Sequence, residues 1–208
     1  FIFGQLKILL PRLFDQRNFC CAFNLLAVCR SQSIRFAFDD DSGEYLATDG
    51  DSVKRFLVKQ QNLYTYQNGF SYRAAKLSEV YLLDLIKFFD NDLVVDCGAN
   101  NGDLLMALES HHFNLKYIAF EPGPLEFTTL RQNIRNHLAV NMALGESTKV
   151  VQFYLSEQNA DSSIVPTDCD LPSVDIQMIS FSDYCRQFLP GSRIKLFKIE
   201  AEGYEPEV

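Results

Sequence analysis

The chain has 208 residues, 47% of them apolar and including 18 Phe and 9 Tyr, enough to fill a core and too apolar for a disordered tract. Its 19 basic and 27 acidic residues leave a net charge of -8 with no dense Lys/Arg run, which argues against a nucleic-acid partner and for small molecules or neutral surfaces. The six cysteines form no Cys-x-x-Cys pair, so reduced thiols in a cytoplasmic protein are expected, with no metal site and no disulfide framework.

Residues 1 to about 30 read as helical, with a break at Pro11. The longest apolar stretch, FCCAFNLLAVC (19–29), carries Asn24 inside it and is too short to span a membrane. From 33 to 72 the rhythm changes. SIRFAF, EYLAT and LYTYQNGFSY alternate or carry the turn pairs Asp49-Gly50 and Asn68-Gly69, which predicts short strands and a hairpin packed by Tyr64, Tyr66 and Tyr72. The run Asp39-Asp40-Asp41 reads as a solvated turn. AKLSEVYLLDLIKFF (75–89) predicts a helix with Leu82, Leu85, Ile86 and Phe89 on one face.

From residue 93 strands and helices alternate. LVVDC (93–97) reads as a buried strand, 103–112 as a helix ending at His111-His112, and KYIAF (116–120) as the next strand. PLEFTTLRQNIRNH (124–137) predicts a helix with Pro124 in its first turn and Phe127, Leu130, Ile134 and Leu138 inward. AVNMAL (139–144) is a third strand. KVVQFYLS and VDIQMIS are strands around a polar loop, FSDYCRQF is a short helix, and RIKLFKIE (193–200) is another buried strand. Apolar strands separated by helices imply a parallel sheet covered on both faces. The expected organisation is an N-terminal α+β extension over 1–75 and an α/β domain over 76–208.

In such a sheet, ligands bind beyond the carboxyl ends of the strands. Three strand ends carry suggestive residues: Asp96-Cys97-Gly98-Ala99-Asn100-Asn101-Gly102, then Phe120-Glu121-Pro122, then Asn141-Met142-Ala143-Leu144-Gly145. A dinucleotide loop needs Gly-x-Gly-x-x-Gly, but Asn100 and Asp103 occupy its later positions. Asp96 and Asp103 would each oppose a phosphate by about 1 kcal/mol or more. No Walker loop is present. The ligand therefore lacks phosphate and carries positive charge, which S-adenosylmethionine does. Glu121, 25 positions after Asp96, stands where a carboxylate can accept ribose hydroxyls, and also where it can cap the following helix.

VVDCGANNGD, YIAFEPGPLEFTTLRQNI, NMALGE, VQFYLSEQNADSSI and IKLFKIEAEGYEPEV resemble, in order, the motifs of the FkbM-type methyltransferases over about residues 78–208. The resemblance implies a Rossmann-like class I methyltransferase sheet and S-adenosylmethionine-dependent methylation of a hydroxyl oxygen on a sugar, glycan or polyketide-like metabolite. It places Asp96, Gly98, Asn100 and Gly102 at the methionine end of the donor, Glu121 at the ribose, and Asn141 and Ala143 beside the adenosine. Glu200 and Glu202 would face the sulfonium or the acceptor hydroxyl as catalytic residues; the family usually has Asp where this chain has Glu200. The competing reading is a non-catalytic binding module on a degenerate methyltransferase fold. Because the chain opens on Phe1 and stops at Val208, a C-terminally truncated piece of a longer protein is expected.

Overall fold

The computed structural model describes residues 16–29, 31–57, 65–110, 114–155, 162–164, 171–201 and 204–208. The chain divides into two compact units, 1–73 and 74–208.

In the first unit, helix α1 (Gln16–Cys29) buries Phe19, Cys20, Phe23 and Ala27 along one face. Asn24, the polar residue within that apolar run, is satisfied twice by one backbone position. Its Nδ2 donates to the Phe36 carbonyl at 2.8 Å, and its Oδ1 accepts from the Phe36 amide at 2.7 Å. Strands β1 (Arg35–Asp39), β2 (Glu44–Asp49) and β3 (Ser52–Phe56) form an antiparallel sheet in sequence order. The Asp39 turn is the expected acidic one, with Asp39 accepting from the Asp41 amide at 3.1 Å and the Ser42 hydroxyl at 2.9 Å. Asp49 pairs with Ser52 across the tight turn at Gly50.

The hairpin expected at Asn68-Gly69 is not what these residues form. Gly69, at φ +89°, opens helix α2 (Phe70–Val80), and the Asp49 carboxylate accepts the first amide, that of Phe70, at 2.8 Å. The same dipeptide signals both turns, and here the carboxylate decides between them. Tyr66 is fully buried and Tyr72 exposed; Tyr64 lies outside the described residues.

In the second unit α2 stops at Val80 and does not reach residue 89. Leu82 adopts a left-handed conformation (φ 53°), followed by a single 3-10 turn, Leu83–Leu85. The expected inward face breaks up accordingly. Leu82, Leu85 and Phe89 are exposed by 59%, 79% and 55%, and Leu83 and Phe88 go into the core instead.

The main sheet contains β4 (Leu93–Cys97), β5 (Lys116–Phe120), β6 (Leu138–Val140) and β10 (Ile194–Ile199). All are parallel, in the spatial order β10-β4-β5-β6. Helices α3 (Asp103–Glu109) and α4 (Pro124–Asn133) cover one face, burying Leu104, Leu108, Leu130 and Ile134 against Val94, Tyr117 and Ala119. Each such side chain contributes about 1.5–3 kcal/mol by leaving water. The other face, with Val95, Cys97, Ile118 and Phe120, packs on Leu144, Ile179 and Tyr184. This is the parallel sheet covered on both faces that the apolar strand runs imply, and the Rossmann-like sheet that the family resemblance implies.

The single strand expected over 139–144 is two. After Val140 the side-chain amide of Asn141 donates to the Glu121 and Pro122 carbonyls at 2.8 and 3.2 Å. The chain then leaves the main sheet. Strands β7 (Ala143–Gly145), β8 (Lys149–Tyr154) and β9 (Ser173–Ser180) form a second sheet of order β7-β9-β8, with β8 antiparallel. Helix α5 (Phe181–Phe188), capped by Ser180 accepting the Asp183 amide at 3.1 Å, leads back to β10. His111-His112 and part of the 156–173 loop lie outside the described residues.

Candidate functional site

Strands β4, β5 and β6 are laid down outward in one direction, and β10 is added on the other side of β4. The strand order therefore reverses between β4 and β10. Beyond the carboxyl ends of such a pair the connecting loops diverge and leave a crevice.

The loop after β4 turns on residues at positive φ: Gly98 (72°), Asn100 (48°) and Gly102 (80°). The amides of Gly98 and Ala99 both donate to the Phe120 carbonyl at 3.0 Å, and that of Gly102 to the Ala99 carbonyl at 2.8 Å. Each glycine also has a protein neighbour that requires it. A Cβ on Gly98 would fall onto the Glu200 carbonyl group, 2.9 Å from its carbon. One on Gly102 would stand 2.6 Å from Ile134 Cγ2 and 3.1 Å from Leu130 Cδ1. These close approaches give the glycines a packing role independent of any ligand.

Across the reversal lies a charge network that the strand pattern does not announce. Lys198 is paired in register with Asp96 and is only 8% exposed. Its Nζ lies 3.0 Å from Asp96 Oδ1 and 3.1 Å from Glu200 Oε2. It also donates to the Cys97 and Gly98 carbonyls at 3.1 and 2.6 Å. The Tyr117 hydroxyl donates to Asp96 Oδ2, and the Tyr81 hydroxyl donates to Glu200 Oε1 at 2.9 Å. Burial works to strip the Lys198 proton, but Asp96 and then Glu200 outweigh it and hold the pKa above the ordinary lysine range. Burial pushes Tyr81 up to about 12, so this hydroxyl remains a donor at neutral pH. Burial also pushes the Cys97 thiol up to about 12, away from the thiolate form, and the side chain packs in the core. Asp96, 1% exposed, is an interior anchor; Glu200, with its side chain 56% exposed, is the part of the network that meets solvent.

Glu121 stands beyond β5. Its Oε2 accepts the Asn100 amide at 2.7 Å and its Oε1 accepts the Gly123 amide at 2.8 Å. It thereby ties the glycine loop to the turn that opens α4. Burial, and then the neighbouring buried Glu126, push its pKa up to about 7, against the pull of the two amides and of Lys198. Each carboxylate oxygen has two acceptor sites, and the two amides use one on each.

The other expected site residues are placed as follows. Asn141 is exposed, with its amide on the Glu121 and Pro122 carbonyls. Ala143 is 4% exposed and packs with Phe153, Ile176 and Met178. Glu202 lies outside the described residues. The sequence reading missed Lys198, Tyr81, Tyr117 and Asn101. Asn101 is 3% exposed; its Oδ1 accepts the Thr129 hydroxyl at 2.7 Å, and its Nδ2 has no acceptor among the described residues. A lysine inside the apolar run KLFKI was the one available signal, since a buried ammonium demands a buried acid opposite.

Three carboxylates (Asp96, Glu121, Glu200) and one ammonium (Lys198) thus gather at these strand ends. An anionic pyrophosphate does not suit that balance, whereas a cationic nucleoside with ribose hydroxyls to donate does. Among the described residues no helix is long and apolar enough to cross a membrane. Cys20, Cys21, Cys29, Cys97 and Cys185 are free thiols.

Residues 96–208, more than half of the chain, match the methyltransferase FkbM domain family. The chain is 26% identical over 165 residues to Methyltransferase sdnD of Sordaria araneosa, a match covering 60% of this chain and 62% of that protein. It is 24% identical over 149 residues to Methyltransferase 1 of Beauveria bassiana (strain ARSEF 2860), covering 60% of each. It is also similar to the crystal structure of methyltransferase FkbM from Methylobacillus flagellatus KT, with 21% identity and a TM-score of 0.42 over 60% of this chain and 29% of that one. The chain spans about three fifths of the length of the curated relatives it matches.

Proposed function

The chain belongs to the methyltransferase FkbM family, and on that premise we propose that it binds S-adenosylmethionine and transfers its methyl group to a hydroxyl oxygen of a sugar, glycan or polyketide-like metabolite. The observation that carries the reading is the meeting of Asp96, Glu121 and Glu200 at neighbouring strand ends where the strand order reverses. When bound, the donor supplies an activated methyl group on a cationic sulfur. Glu121 accepts the ribose hydroxyls on its remaining lone pairs, while the Asn100 and Gly123 amides keep the carboxylate aimed. The backbone of the 98–102 loop borders the methionine end. Glu200 stands at the reacting end, and Glu202 two positions on is the other acid proposed there. Holding acceptor and donor in line supplies up to about 7–11 kcal/mol of the barrier reduction.

The test is calorimetric titration of the protein with S-adenosylmethionine. Glu121→Gln, which keeps the volume but removes the charge and turns an NH2 towards one of the two backbone amides, is expected to weaken binding by about tenfold or more. Wild-type affinity in that variant removes the ribose assignment, and no binding by the wild-type protein favours the non-catalytic module.

The titration of Glu121 gives a second expectation. Ribose donors favour the ionised carboxylate, which the ligand-free protein holds protonated below about pH 7. Affinity for S-adenosylmethionine is therefore expected to rise as pH increases towards 7 and to level off above it. Stability of the ligand-free protein runs the opposite way, because the folded pKa lies above the unfolded one. The native state then binds more protons between pH 4.5 and about 7, so this stabilisation is complete at the acid end and fades as pH rises through that window. Glu121→Gln is expected to flatten both profiles; a pH dependence of affinity that survives it assigns the titration elsewhere.

A further inference from the structure

Glu200 is an exposed carboxylate whose two oxygens are held from two different elements. Tyr81, one residue past the end of α2, donates to Oε1 at 2.9 Å. Lys198, on β10, stands 3.1 Å from Oε2 and is itself fixed by Asp96 and by two carbonyls of the β4 loop. The backbone beneath is fixed as well, because the Glu200 amide donates to the Cys97 carbonyl at 3.0 Å. A surface glutamate ordinarily loses rotamer freedom for little return. Here a half-buried phenol and a buried ammonium hold it in one orientation just beyond the carboxyl end of β10. Nothing in the packing of the sheet requires that, since the Glu200 side chain is 56% exposed. With the Tyr81 hydroxyl donating to one oxygen and the Lys198 ammonium beside the other, the carboxylate is held in one place.

Resting on the reading of the site as a methyl-donor pocket, we propose that Tyr81 and Lys198 are positioning residues that clamp Glu200 so that its charge faces the sulfonium of the donor. Glu200 is then the contact that distinguishes the methylated, cationic donor from the demethylated, neutral thioether left after transfer. Product release follows from the same contact: once the methyl group has gone, the attraction at Glu200 has gone with it. The Tyr81 ring packs beside the core, whereas its hydroxyl donates to Glu200. Tyr81→Phe therefore removes the clamp at one end and leaves the packing in place.

The experiment compares S-adenosylmethionine with S-adenosylhomocysteine, which differ by one methyl group and the sulfur charge, in calorimetric titrations of wild type, Tyr81→Phe and Glu200→Gln. Glu200→Gln is expected to weaken the methionine form about tenfold and the homocysteine form by less than about twofold. Tyr81→Phe is expected to shift the same ratio in the same direction, by about threefold, because the acid remains but is no longer aimed. A merely structural tyrosine would weaken both ligands alike or neither, and either result overturns the proposal. Wild-type protein that binds neither ligand overturns the donor pocket itself. Wild-type protein that binds both, with a ratio unmoved in the two variants, overturns the clamp alone.

Discussion

Lys198→Met is expected to lower the unfolding temperature of the protein by about 10 °C, the size of effect that follows from leaving a buried acid without its counter-charge. Asp96 is 1% exposed, with Tyr117 on one oxygen and the Lys198 ammonium 3.0 Å from the other. Methionine fills the space of the lysine stem but supplies no charge, and the Cys97 and Gly98 carbonyls lose their donor at the same stroke. Breaking a buried pair from one side removes about 3–5 kcal/mol, whereas removing both charges is far milder. The double variant Asp96→Asn with Lys198→Met is therefore expected to recover most of the loss. Thermal unfolding of the four proteins closes the cycle. A single Lys198→Met variant that melts with wild type would show that the ammonium does not neutralise Asp96.

The second large effect concerns Gly98. Gly98→Ala is expected to destabilise by about 3 kcal/mol or more, combining a left-handed backbone with a direct clash. Gly191 provides the internal control. It has nearly the same dihedral, φ +71° against +72°, but a Cβ there meets nothing within 4 Å. Gly191→Ala should show the conformational strain alone, about 1 kcal/mol. The difference between the two urea midpoints then reports the approach of the Glu200 carbonyl to the loop. Equal midpoints would mean that the Glu200 carbonyl does not approach Gly98 so closely.

Much of this domain is legible because its strands are short apolar runs that end in an acid or an amide. LVVDC and KYIAF give β4 and β5, and Asp96 and Glu121 mark where they stop. The α4 helix is legible from Pro124 and the buried Leu130, but it ends at Asn133, short of the expected 137, with Ile134 buried just beyond it and Leu138 exposed in β6. What fails is punctuation without a characteristic residue. Nothing in YLLDL marks Leu82 as left-handed, so periodicity runs the helix past its real end. Nothing in AVNMAL shows that Asn141 turns the chain into another sheet, because its partners are the Glu121 and Pro122 carbonyls, 20 and 19 positions earlier. At the site, the acids are readable and their partners are not. Lys198 looks like an interruption in an apolar strand until Asp96 is set beside it, and Tyr81 looks like one more helical residue 119 positions from Glu200.

The crossover from β6 through the second sheet and back to β10 also sets the order in which the molecule can be made. The contacts between Lys198 and the carbonyls that end β4 join positions 101 and 100 apart. While the chain is being synthesised, β4, β5 and β6 leave the ribosome with the Asp96 carboxylate already in place and its ammonium not yet translated. Loop closure over so long a span is slow and late. The charge network is consequently complete only after β10 has joined β4, and until then a nascent chain holds Asp96 without its ammonium.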